Sequence, residues 1–203
     1  MSSKPPPAAR YPSQPSHVTA LDLPAPPRES LPPDLQKYFG ICDDKIGFLP
    51  NVLAAYSWNE KKLRAFSGFY NDLMLDDSPL SKLEREMIAV VVSSANRCYY
   101  CQVAHGQAVR ELSGDPALGE LLVMNYRAAV LTPRQRAMLD FAHKVTVSPD
   151  AIDDADRAAL RTAGFDDHSI WDIASVAAFF NMTNRVATAI DMMPNPEYHS
   201  RNR

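Results

Sequence analysis

At 203 residues, 46% of them hydrophobic, the chain is long enough to bury one sizeable core, and its length does not ask for two domains. A formal charge of -3 leaves no strong basic field, which argues against nucleic acid and anionic membrane surfaces as partners. No apolar run approaches the roughly 18 residues that span a bilayer, and the first ten residues carry no secretory h-region, so a cytoplasmic protein is expected.

Ten of the 17 prolines fall in residues 1–33, a segment that cannot be regular helix or sheet and favours extended, polyproline-like backbone. It reads either as a disordered tail or as an arm lying along a neighbouring subunit, the second motivated by Val18, Leu21 and Leu23. Residues 34–203 read as a single helical domain.

Pro32, Pro33 and Asp34 open a short helix with Leu35, Tyr38, Phe39 and Cys42 on its apolar side, stopped near Gly47. Asn59 caps a longer one along which Leu63, Phe66, Tyr70, Leu73 and Met74 recur at helical spacing. Ser78 and Pro79 start the next, which carries a Ser81-x-x-Glu84 capping box and a continuous apolar run at 87–92, the mark of a buried helix. Asn96 is a good N-cap for a helix over 98–112, and Gly114 provides its stop.

Asp115–Pro116 and Thr132–Pro133 each place a capping side chain before a proline at the first helical position. Ser148, Pro149 and the acid-rich residues 150–156 begin another helix, closed by Gly164. The last helix runs over 167–192 with Ile170, Ile173, Ala174, Ala177, Phe180 and Val186 on its buried side, ending before Pro194. With seven glycines and no hairpin signals nothing asks for a sheet, so the expected class is all-α, with roughly eight to nine helices. A faint internal echo pairs Leu80 with Leu131, Arg85 with Arg136 and Met87 with Met138, and sets Ala137 where Glu86 stands.

The chemistry concentrates at residues 86–105. Cys98 and Cys101 form a C-x-x-C pair and His105 follows one turn later, so all three share a helix face. A thiol needs a positive local field or a base to ionise; the helix N-terminus offers the first and His105 the second. Two cysteines at this spacing can also close a disulfide, so that one resolves the oxidation of the other. Glu86, beside the apolar run, is a candidate partly buried carboxylate, whereas Glu84 is explained by capping.

The bland readings are a metal site or inert core. C-x-x-C-x-x-x-H supplies three ligands, and Glu86, His143 or Cys42 could offer zinc a fourth, but no second C-x-x-C follows, which favours redox chemistry. Cys42 reads as a small core hydrophobe, His143 as a packed residue and His168 as a surface one, while His17 and His199 are assigned nothing.

The set Glu86, Cys98, Cys101 and His105, following L-S-x-x-E-R-E, resembles the alkylhydroperoxidase D family within the carboxymuconolactone decarboxylase-like superfamily. The G-F-L-P-N run at 47–51 is similar to a segment of its peroxidase-related branch, and residues 181–190 give a weaker match. The resemblance implies an AhpD-like helical fold and a peroxidase that reduces organic hydroperoxides through the cysteine pair. In it Glu86 and His105 form a proton relay, and Cys101 attacks, whereas the helix-dipole argument leans to Cys98. It also implies recharging by a dithiol donor, lipoyl or thioredoxin-like, and assembly as a trimer or hexamer, while the motif carries no flavin, haem or nucleotide signature, so no bound cofactor is expected. One departure is Tyr100, which stands between the cysteines where the best-studied members have histidine. The alternative function is a non-catalytic helical oligomer that uses the Cys/His cluster for metal binding or redox sensing.

Overall fold

The computed structural model describes residues 13–203, and among them it has nine α-helices and no strand. In chain order these are α1 (Pro33–Ile46), α2 (Asn51–Tyr56), α3 (Glu60–Met74), α4 (Lys82–Ala95) and α5 (Tyr99–Ser113). They continue with α6 (Pro116–Asn125), α7 (Pro133–Val147), α8 (Asp154–Thr162) and α9 (Asp167–Ala189). The all-α expectation is met.

Local chemistry sets most boundaries. Asn59 accepts from the Lys62 N–H, Asp115 from Ala117, and Ser81 and Thr132 form reciprocal capping boxes with Glu84 and Gln135. Each such cap contributes about 1 kcal/mol. Gly47 and Gly114 close α1 and α5 in the left-handed region, where a Cβ is unfavourable.

Several expected boundaries move. Ser78 and Pro79 lie ahead of α4 rather than starting it, because the Ser78 hydroxyl accepts from the Leu80 N–H and donates to Asp172. Ser148–Pro149 opens only a 3₁₀ turn (Pro149–Ala151), and α8 starts after Asp153, whose carboxylate accepts from the Asp156 N–H. The last helix ends at Ala189, not 192, since Asp191 turns left-handed (φ 50°) and the Met192 N–H returns to the Ala187 carbonyl. The short α2 has no counterpart among the expected helices; six residues show no period.

The fold is built around α4. Its nine consecutive buried residues, Arg85 to Ser93, leave it no solvent face, and it packs on α5, α6, α7 and α9. A second, smaller core gathers Cys98, Tyr100, Cys101 and Ala104 of the start of α5 against Ala187, Met192 and Tyr198.

The internal echo has a physical counterpart. Arg85 donates to the Leu73 and Asp76 carbonyls, and Arg136 to those of Tyr126, Arg127 and Ala129, so each clasps the loop before its own helix. Met87 and Met138 are both fully buried.

Of the Pro-rich segment, residues 1–12 lie outside the described residues. The following stretch lies on its own chain: Ala20 donates to the Ile190 carbonyl, Met193 to that of Val18, and His17 pairs with Asp191 at 2.9 Å. No helix among the described residues is long and apolar enough to cross a membrane.

Candidate active site

The cysteine pair sits where α4 turns into α5. Asn96 ends α4 rather than capping α5, as the sequence suggests, because its side chain is committed elsewhere: its amide donates to Asn181 and Asn184 on α9. Arg97 then takes a left-handed conformation (φ 56°), and the Cys98 N–H folds back onto the Ser93 carbonyl at 3.0 Å. That conformation costs a residue with a Cβ about 1–2 kcal/mol. Cys98 is consequently the N-cap of α5, one position ahead of the first turn expected for it.

The two sulfurs are 2.9 Å apart, both buried and both free thiols. At that distance the pair readily loses one proton but not both. Once Cys98 ionises, the remaining Cys101 thiol proton serves its thiolate, and this is the main reason the Cys98 thiol is held down to about 7. Burial opposes the shift, while the Cys101 peptide N–H, the Thr188 hydroxyl and the field of His105 assist it. Cys101 is pushed the other way, well above the usual thiol range, first by its hydrogen bond to Cys98 and then by burial.

His105 faces away from solvent and its Nδ1 meets Glu86 Oε2 at 2.7 Å. The carboxylate accepts from Nδ1, so in the neutral ring Nε2 is the atom left as an acceptor. Phe180 packs edge-on to the ring with centroids 4.6 Å apart. Glu86 is itself buried in α4, whereas Glu84 caps the helix and pairs with Arg134.

Cys101 and His105 line a cavity of about 120 Å³ whose other walls are mainly aromatic and aliphatic. Cys98 does not line it; that thiol borders a separate pocket with Arg97, Thr188 and Asp191. Tyr100, the residue between the cysteines, packs in the small core, lines the cavity, and accepts the Val52 N–H at the start of α2. Burial raises the phenols of Tyr56, Tyr70, Tyr100 and Tyr198, and the Glu86 charge adds to the effect at Tyr70 and Tyr198.

The four predicted site residues form two pairs on the packed helices α4 and α5, Cys98 with Cys101 and Glu86 with His105, and Cys101 and His105 share the cavity wall. The remaining candidates lie elsewhere: Cys42 is buried in α1 with its thiol raised by burial, His143 stacks near Tyr126, and His168 is exposed. No group of three or more His, Cys, Asp or Glu among the described residues is arranged to hold a metal ion.

Sequence reasoning missed Asn184 and Ser93. The Asn184 amide donates to the Ser93 hydroxyl at 3.0 Å, and both side chains help hold Cys101 as a partner in its hydrogen bonding. A signal existed, since Thr183 and Asn184 interrupt the apolar face of α9. Tyr56, Tyr70 and Tyr198 come from three distant parts of the chain and carried none.

The family model described as the carboxymuconolactone decarboxylase family matches residues 60–144, which includes all four site residues. An uncharacterized peroxidase-related protein from Silicibacter sp. TM1040 is 63% identical and superposes with a TM-score of 0.90, covering 94% of this chain and 99% of that one. The alkylhydroperoxidase AhpD core of an uncharacterized peroxidase-related protein from Ralstonia eutropha JMP134 is 41% identical, with a TM-score of 0.88 over 93% of this chain and 98% of that one. Among curated proteins, the uncharacterized protein YnjA of Escherichia coli (strain K12) is 26% identical over 116 residues. That match spans 57% of this chain and 63% of YnjA, less than two thirds of the relative's length.

Proposed function

The chain belongs to the carboxymuconolactone decarboxylase family, in the peroxidase-related branch with the AhpD core, and on that premise we propose that it is a thiol-dependent peroxidase reducing organic hydroperoxides. The observation that supports this best is the juxtaposition of two thiols 2.9 Å apart with a Glu86–His105 pair, one of the thiols opening onto an apolar cavity.

Cys101 is the attacking thiol on this reading because it shares the cavity with His105, even though Cys98 carries the lower pKa. In the form of the pair in which Cys98 keeps its proton, Nε2 of His105 accepts the Cys101 proton, and Glu86 stabilises the imidazolium that results. The sulfur attacks the terminal peroxide oxygen, the O–O bond breaks, and His105 returns its proton to the departing alkoxide. The products are an alcohol and a Cys101 sulfenic acid. The Cys98 sulfur then attacks the Cys101 sulfur, the S–O bond breaks, the Cys98 proton leaves with the hydroxyl as water, and the disulfide closes. A dithiol donor, lipoyl or thioredoxin-like, reduces it by exchange. No step requires a bound cofactor.

Thiol titration before and after one equivalent of an organic hydroperoxide, with elemental analysis of the same sample, tests the proposal. Loss of two thiols without bound metal is the expected result. Retained thiols together with stoichiometric zinc would sink it.

A further inference from the structure

We propose that the cavity beside Cys101 selects compact, uncharged, apolar hydroperoxides of about tert-butyl size, and discriminates against both fatty-acid hydroperoxides and hydrogen peroxide. This rests on the peroxidase reading and names the substrate class of that same site. Three features of the cavity carry it.

The first is size. The cavity holds about 120 Å³, and an apolar cavity of roughly 150 Å³ accommodates benzene, so a group of about four carbons with its O–O fills the present one. An octadecanoid chain is several times too large. The wall does not readily expand, because its rings brace one another: Tyr56 stacks on Phe66 at 4.4 Å, Phe66 meets Phe179 at 5.7 Å, and Phe179 meets Phe180 at 5.4 Å.

The second is charge. Among the described residues no Lys, Arg, Asp or Glu lines the cavity, and the one basic group that does, His105, is already paired with Glu86. A fatty-acid carboxylate would enter without a cation to meet it, at a large desolvation cost. The phenols of Tyr56, Tyr70 and Tyr100 remain neutral donors, suited to an uncharged hydroperoxide.

The third is apolar burial. Hydrogen peroxide gains nothing from the aromatic wall, whereas burying about four carbons favours the tert-butyl compound by roughly 10²-fold.

The test is single-turnover oxidation of the reduced full-length chain, followed by alkylation of the remaining thiols, which needs no electron donor. Tert-butyl hydroperoxide should react about 10²-fold faster than hydrogen peroxide and outrun linoleic acid hydroperoxide by at least as much. Benzene is a second probe, independent of turnover: it should bind and raise the thermal midpoint, and Ala104→Leu, which fills the cavity, should abolish that binding and erase the peroxide preference. Equal or faster oxidation by linoleic acid hydroperoxide or hydrogen peroxide would overturn the inference while leaving the peroxidase reading intact. Benzene binding with no thiol oxidation by any of the three would uphold the ligand class and remove the peroxidase reading. Absence of both would overturn the two together.

Discussion

Replacing Cys101 by alanine isolates what holds the Cys98 thiolate. In the native pair Cys98 titrates near 7, so about half of it is ionised at pH 7, and its largest support is the Cys101 thiol. Alanine removes that donor and leaves burial opposed only by the Cys101 peptide N–H, Thr188 and His105, so the Cys98 midpoint should rise towards the ordinary thiol value of about 8.5. The thiolate fraction at pH 7 then falls by up to about 15-fold. Ultraviolet thiolate absorbance followed against pH reads this directly, since Cys42 and Cys101 are both raised and stay silent in that range. Stability should follow the same window. A thiol held below its unfolded value adds stability that is fully present above about pH 8.5 and is lost as pH falls through about 7. The variant should lack that dependence. A Cys98 midpoint left near 7 in Cys101→Ala would refute the shared-proton account and assign the shift to the helix terminus or to Thr188.

His105→Gln should slow peroxide turnover by about 10²- to 10⁴-fold, and Glu86→Gln by the lower part of that range, because the amide keeps the hydrogen bond but not the charge. Undiminished turnover in Glu86→Gln would remove that residue from the relay. Cys98→Ser and Cys101→Ser should each abolish recycling with a dithiol, while Cys42→Ser leaves the rate unchanged, as steady-state peroxide consumption will show. Gly119→Ala should destabilise the fold by about 1–3 kcal/mol in denaturant melts. Its new Cβ would stand 2.7 Å from Arg110 Cγ and 3.0 Å from the Gly106 carbonyl, and Arg110 is buried holding the Tyr198 and Arg201 carbonyls. An unchanged melt would mean that α5 and α6 separate freely.

What could be read from sequence was whatever helical spacing determines by itself. Cys101 and His105 lie on one helix, so their shared face was legible from spacing, whereas Glu86 was tied to them by the family resemblance, and only the packing of α4 on α5 shows its carboxylate meeting His105. The buried character of α4 was legible for the same reason: an apolar run at 87–92 leaves no wet face. Asn96 misled because asparagine suits either end of a helix, and only its bonds to Asn181 and Asn184 on α9 decide between them. The cavity was not legible at all. Its walls come from α2, α3, α5, α9 and the C-terminal turn around Tyr198, and no local pattern records which distant phenol will face which sulfur.

The two cysteines border different pockets, Cys101 one and Cys98 the other, with Tyr100, Ala187 and Met192 lining both. On the proposed mechanism, the occupants of the two pockets communicate through the oxidation state of the cysteine pair between them. Oxidant and reductant should therefore follow ping-pong kinetics, each unable to compete for the other's place. The shape that admits one can also drift in evolution without disturbing the shape that admits the other, so relatives with the same cysteine pair are free to differ in what they reduce while keeping the same supply of electrons.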